Sequence, residues 1–293
     1  ELNIGAVRNF NRCLELARGE WIKYVFADDF IAPDCLEQML AASKPESAMI
    51  CCRRDFLFEP SVDEQTKTFY LKHLSDWSID SLFPDSTEIS ARDFCKVLIN
   101  HFWVNIVGEP TAIMLHRNTF YRFGTFNTHL VGICDMELWA RIGINAGLTY
   151  VPKTLATSRV HGESITNTSK TNSDRDYCLS KLDRLVLIHD FAFHPLYAPL
   201  RNAASQHKPP IYFEDLLAKR GGEARRLAQQ SRSNSANSNS SLMQKWKNII
   251  HFYPMLSVLA NPSLFRYSRR LLRKSQNLIP KLKRKFSQIS HRA

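Results

Sequence analysis

No aspartate or glutamate follows Glu223 in this 293-residue chain, and that absence organises its charge. Residues 1–223 hold all 28 acids against 24 Lys and Arg, a net of −4. Residues 224–293 hold the other 15 basic residues, a net of +15. The overall +11 therefore belongs to a tail and not to the fold that precedes it. A CxxC pair is also missing. Seven scattered cysteines, an odd number, argue against a disulfide framework or a structural zinc site and for a reducing compartment. Long apolar runs are absent too: the best near the end, residues 249–265, is broken by His251, Pro254, Asn261 and Pro262, a poor transmembrane span. The chain has neither a signal peptide nor an initial Met, so its native N-terminus is expected upstream of Glu1.

What is present reads as alternating helices and strands. Val7, Phe10, Leu14 and Ala17 recur at helical spacing ahead of Gly19. A β-rich run, residues 21–26, ends at Asp28-Asp29, and Asp34 is placed to cap the next helix. Residues 48–52 form a short buried-strand candidate, and residues 59–90 read as a polar, irregular insertion. Ser90 marks a helix to Ile99, and Gly108-Glu109-Pro110 turns into a strand over 111–115. Helices over 117–123 and 135–146 are closed by Gly124 and Gly147, and strands are predicted over 148–151 and 155–160. The alternation predicts an α/β domain with a mostly parallel sheet flanked by helices. A long helix follows Asn172, then a Ser/Asn-rich linker.

In open α/β sheets, ligands bind at the C-terminal ends of strands. Asp28 and Asp29 fall there, and adjacent carboxylates invite a hard divalent cation that also bridges substrate phosphates. A surface turn with a helix cap is the plain alternative. Context bears on the choice. Asn3, Gly5, Asn9, Asn11, Ala17, Gly19, Glu20, Trp21 and Ile22 match a run that leads into a metal-binding acidic motif. In this respect the chain resembles the family 2 glycosyltransferases of the GT-A fold. The resemblance puts Asp28 on the last Asp of the family's D-x-D motif and Asp29 on the extra Asp that often follows. Phe26 stands where the first Asp is usual.

Three further segments carry the same resemblance. Residues 134–141 are similar to the family's D-x-E-L-W-x-R motif, which implies Asp135 as catalytic base. Inverting transfer needs a base to take the proton of the attacking hydroxyl. A helix start stabilises the charged form and lowers basicity, so burial must oppose it. A helix-start cap is the alternative for Asp135. Trp139 shares its face and is a candidate to stack on an acceptor sugar, or a core residue. Residues 108–112 are similar to the family's turn beneath the substrates, which makes Glu109 a candidate substrate contact or a plain turn residue. Residues 159–164 are similar to its R-x-H-x-x-S ending, which implies His161 as a further metal ligand or a contact to the diphosphate and Arg159 as a phosphate partner; a plain surface or packed histidine is the alternative.

The resemblance thus implies a partial GT-A-like catalytic domain over 1–170, lacking the strands that grip the nucleotide. A helical extension over 171–230, a linker over 231–241 and a basic amphipathic tail over 242–293 would follow. It implies transfer of a sugar from a nucleotide-sugar donor to a glycan or lipid-linked acceptor, with Mn²⁺ or Mg²⁺. The tail mixes Trp246, Phe252, Tyr253, Phe265 and Tyr267 with Arg269-Arg270, Arg273-Lys274 and Lys281–Lys285. An anionic membrane surface suits it better than nucleic acid, and a solvated tail is the third reading. The expected location is cytoplasmic, peripheral at the membrane. The rival function is a non-catalytic, truncated or degenerate transferase domain attached through its basic tail.

Overall fold

The computed structural model describes residues 3–162, 176–233 and 241–261. The chain divides into two units, Glu1–Tyr212 and Phe213–Ala293.

The first unit is built on a six-stranded sheet ordered β1-β5-β3-β6-β2, with the short β4 also pairing β6. The strands are β1 (Trp21–Lys23), β2 (Phe30–Ile31), β3 (Met49–Phe58), β4 (Glu88–Ile89), β5 (Ile113–His116) and β6 (Leu148–Val160). Only the long β3/β6 ladder is parallel; β1/β5, β3/β5, β2/β6 and β4/β6 are antiparallel. The expectation of a mostly parallel sheet is corrected here. Alternating strands and helices suggested parallel crossovers, but the same alternation also carries antiparallel pairs between strands distant in sequence, such as β1 with β5. Strands expected separately over 148–151 and 155–160 are one strand, exposed at Pro152, Lys153 and Thr154. The strand expected over 21–26 ends at Lys23.

Local chemistry sets the remaining elements. α1 (Ala6–Leu16) buries Val7 and Leu14, and the carbonyls of Ala17 and Gly19 that follow it accept from the Arg117 guanidinium at 2.5 and 2.8 Å. Asn11 holds the backbone of Phe126 in both directions, at 2.9 and 3.0 Å. α2 spans Cys35–Ala41, with Asp34 at its N-cap position but without a side-chain cap bond. Residues 59–90, expected to be irregular, contain the 14-residue α3 (Glu64–Trp77), capped by Asp63, and the short α4 (Ile79–Leu82). α3 is polar on most of its surface, which hides its periodicity. α5 (Ala91–His101) starts on the predicted Ser90 cap. α6 (Arg117–Phe123) ends at Gly124, and α7 (Cys134–Ala146) at Gly147. α8 (Asp183–Phe193) and α9 (Ala198–Gln206) also belong to the first unit, so the segment expected as one extension from 171 is divided between the units.

α7 is anchored through a buried ion pair. Glu137, 1% exposed, receives Arg141 Nε and Nη2 at 2.9 and 2.8 Å and the Tyr197 hydroxyl at 2.6 Å. Arg141 also donates to the carbonyls of Phe123 and Thr125. All seven cysteines are free thiols.

The second unit contains α10 (Phe213–Ser233), α11 (Ser241–Phe252) and α12 (Pro254–Leu259). Trp246 and Tyr253, expected to face a membrane, are buried within it, whereas Phe252 is exposed. Phe265, Tyr267 and the basic clusters at 269–270, 273–274 and 281–285 lie outside the described residues, as does most of the linker. Among the described residues no helix is long and apolar enough to cross a membrane.

Removing one partner of a buried, hydrogen-bonded ion pair leaves an uncompensated charge. Glu137→Ala is therefore expected to cost about 3–5 kcal/mol in urea unfolding. Glu15→Ala, at the exposed Arg12–Glu15 pair, should change stability by under about 0.5 kcal/mol. Equal effects of the two would contradict the assignment.

Candidate functional site

The turn after β1 is fastened from two sides. Asp29 accepts from the Thr111 hydroxyl at 2.5 Å and the Arg159 amide at 3.1 Å, with Ser158 Oγ at 3.4 Å. Thr111 is fully buried, and its carbonyl receives Lys23 Nζ at 2.6 Å. Burial raises the Asp29 carboxyl above its ordinary range; the Thr111 and Arg159 bonds partly oppose that, and the charges of Asp28 and Glu109 add to it. Asp29 is thus engaged by the protein, which departs from the expectation that both carboxylates face a metal. Asp28 is 39% exposed, with His161 Nε2 3.0 Å from its Oδ2. Phe26, at the position of the family's first acidic residue, stacks on Phe10 with ring centroids 5.2 Å apart.

The second part of the site is organised by Gly108. Its φ of +127° is costly for any other residue, and an added Cβ would fall 2.9 Å from Arg54 Cδ. Its carbonyl receives both Trp139 Nε1 and Asn105 Nδ2 at 2.9 Å, and its amide donates to Asn105 Oδ1 at 3.0 Å. Asn105 Nδ2 also reaches Asp135 Oδ2 at 3.1 Å. Beneath the turn, Arg54 is buried, with its Nε 2.5 Å from Glu109 Oε2. Glu109 is therefore paired to a core guanidinium. Trp139, expected as a candidate sugar platform, is 1% exposed. That expectation is corrected: its ring fills the core and its N–H supports the Gly108 turn.

Asp135 lies in the first turn of α7, whose N-cap is Ile133. It keeps some surface access, yet the surrounding protein pushes its carboxyl up to about 7, chiefly by desolvation. Glu109 adds to the rise, whereas backbone amides and Arg54 oppose it. Burial outweighs the helix-start effect.

The loop before Asp135 is held from α8. Asp183, 1% exposed, accepts from the Val131 amide at 3.0 Å and the Gly132 amide at 2.7 Å. Burial pushes Asp183 up to about 6 against the opposing pull of those amides. A Cβ at Gly132 would lie 2.1 Å from Leu179 Cδ2, so the loop passes tightly under the π-helical turn Cys178–Leu182.

Asp28, Asp29, Glu109, Asp135 and Arg159 all line one cavity of about 670 Å³. His161 adjoins it through Asp28. The composition of its other wall was not anticipated: Phe69, Tyr70, His73 and Trp77, all from α3, line the same cavity, with Trp103 and Arg184. The signal was present as the i, i+3, i+7 spacing of Tyr70, His73 and Trp77. Arg54, Asn105 and Asp183 carried no comparable signal, because their roles arise from contacts distant in sequence.

Residues 1–104 match the family model described as Glycosyl transferase family 2. The chain carries a family 2 glycosyltransferase domain. Over 87 residues it is 33% identical to the putative glycosyltransferase EpsH of Bacillus subtilis, covering 26% of this chain and 25% of that protein. Over 161 residues it is 25% identical to the uncharacterized protein MT1568 of Mycobacterium tuberculosis, covering 54% of this chain and 48% of that protein. The matched part of the chain thus spans at most about half the length of these relatives. Asp28 and Asp29 fall within the family match, whereas Glu109, Asp135, Arg159 and His161 lie beyond it.

Asp183→Ala strands buried backbone amides and should cost about 1–3 kcal/mol in urea unfolding. Amide exchange at Val131 and Gly132 should accelerate. Unchanged exchange there would contradict the anchoring role.

Proposed function

We propose that this family 2 glycosyltransferase domain performs inverting transfer from a nucleotide-sugar donor to an acceptor hydroxyl, with Asp135 as the base. One observation carries the reading: Asp28 and Asp135, far apart in the chain, open into the same cavity. A carboxyl held near 7 suits general-base work at neutral pH. As the acceptor oxygen bonds to the anomeric carbon, its proton passes to Asp135. The bond from that carbon to the diphosphate oxygen breaks, and the nucleoside diphosphate leaves with the electron pair. Asn105 fixes the Asp135 carboxylate, and the charge of Glu109, paired with Arg54, raises the Asp135 pKa and favours proton uptake there.

Asp28 and His161 are the residues that would hold a divalent cation, Mn²⁺ or Mg²⁺. Among the described residues no group of three His, Cys, Asp or Glu side chains converges as a metal cage. The pair nevertheless fits ions of this kind, which use one or two protein ligands and complete their shell with phosphate and water. Such an ion supplies positive charge to the leaving diphosphate. Asp29 serves by holding the turn that presents Asp28. Arg159 contributes a guanidinium to the cavity wall, its Nη1 3.6 Å from Glu59. One cavity lined by Asp28, Asp135 and Arg159 weighs against the alternative of a non-catalytic membrane- or nucleic-acid-binding module.

Asp135→Asn should lower the transfer rate by about 10²–10⁴ with donor affinity kept; retained transfer would reject the base assignment. In the unmodified protein, kcat/KM should rise with pH through an apparent pKa near 7, as Asp135 loses its proton. Glu109→Gln removes a charge that raises that pKa and leaves Arg54 to lower it, so the rising limb should move to lower pH. A limb that stays in place or moves to higher pH would remove Glu109 from the electrostatics of the base.

The metal assignment is read by binding. Electron paramagnetic resonance with Mn²⁺ and UDP should show weakened ion binding in Asp28→Asn and a smaller effect in Asp29→Asn. The reverse order would place the ion on the wrong carboxylate.

A further inference from the structure

The cavity has more aromatic surface than proton transfer and diphosphate departure require. α3 contributes Phe69, Tyr70, His73 and Trp77 to its wall. Tyr70 packs edge-on to Phe56, which also lines the cavity, at 4.8 Å between ring centroids, and His73 packs edge-on to Trp77 at 5.7 Å. Phe69 is 59% exposed despite its size. Tyr70, His73 and Trp77 are partly exposed beside it, and a run of accessible rings on one helix marks a surface that receives something.

The polar atoms beside this wall narrow the choice. His73 Nδ1 and Arg159 Nε are buried without a hydrogen-bond partner, and such groups are costly unless a ligand or water supplies one. His73 is neutral, because burial and the nearby Arg54 charge push its pKa down to about 4. A neutral imidazole offers one donor and one acceptor nitrogen. A hydrocarbon tail would cover the rings but leave these atoms and the carboxylates desolvated and unpaired. A nucleotide would stack on the rings as well, and the UDP comparison below separates it from a sugar. A pyranose satisfies both demands, with a C–H face for the rings and hydroxyls at its edge for the polar atoms.

We infer that the α3 wall is an acceptor subsite, in which a pyranose ring lies against Trp77 and Phe69 with a hydroxyl bonded to His73. The acceptor is then a glycoside, not a bare lipid phosphate. The inference rests on the transferase reading above and deepens it.

The test is binding by the full chain, followed by calorimetry. The probes are methyl glycosides of glucose, galactose, mannose and N-acetylglucosamine, with UDP plus Mn²⁺ and farnesyl phosphate as comparisons. At least one glycoside should bind. Trp77→Ala should weaken it roughly five- to ten-fold, the loss expected for one aromatic contact. Trp77→Phe should retain most of the affinity, and UDP binding should be the same in all variants. Phe69→Ala, at an exposed ring, gives a second variant that does not challenge folding and should weaken the glycoside in the same direction. The inference is overturned if no glycoside binds, or if both alanine variants bind it as tightly as the unmodified chain. It is equally overturned if Trp77→Ala impairs UDP or farnesyl phosphate instead. Because the readout is binding, an Asp135 that proved not to be the base would leave this result intact.

Discussion

A buried guanidinium beneath a glycine turn is the constraint on which the site depends. Arg54 sits in the middle of β3, on the same face as buried Cys52 and Phe56, and it is paired with Glu109 on the turn above it. The turn approaches closely because Gly108 has no side chain, and its carbonyl is held by Trp139 from α7 and by Asn105. One short segment therefore sets the distance between the sheet and the helix that carries Asp135. A buried pair of this kind contributes little net stability, because desolvating two charges offsets most of their attraction. Its value here is geometric and electrostatic: it keeps a negative charge beside Asp135 and so preserves the basicity of that carboxylate.

Asp28 and Asp135 are each positioned by a second carboxylate held in hydrogen bonds to the protein. Asp29 ties the acidic turn to Thr111 and β6 and leaves Asp28 outward. Asp183 ties the loop over 131–132 to α8 and leaves Asp135 at the start of α7. In both cases a desolvated carboxylate is satisfied by backbone amides or a hydroxyl, an arrangement that fixes direction at modest cost. The neighbouring carboxylates thus have different tasks, and the difference comes from what surrounds them.

The walls of the cavity divide the chemistry as well. Carboxylates from the turn after β1, the Gly108 turn and α7 line the cavity, and rings from α3 line it too. Excluding water with aromatic surface raises the pKa of nearby carboxyls, and the same surface offers a flat apolar contact to a ligand. The segment over 59–90 therefore does more than connect β3 to α5.

Local signals in the sequence determined much of the scaffold. Ser90 capping α5, Gly124 and Gly147 closing α6 and α7, and the buried run at the start of β3 stand where short-range chemistry predicts them. Asp28, Asp29, Glu109, Asp135, Arg159 and His161 were named from motifs, and they do gather around one cavity. Sequence did not determine strand direction, because an antiparallel return and a parallel crossover can carry the same pattern of apolar residues. Nor did it separate Asp28 from Asp29, or a core tryptophan from an exposed one, since those depend on which side of the turn or helix the rest of the chain covers. Tertiary structure decided these points, through contacts such as Asp29 with Arg159 and Trp139 with Gly108. Desolvation and hydrogen-bond partners are properties of three-dimensional neighbours, and a linear pattern of residue types does not contain them.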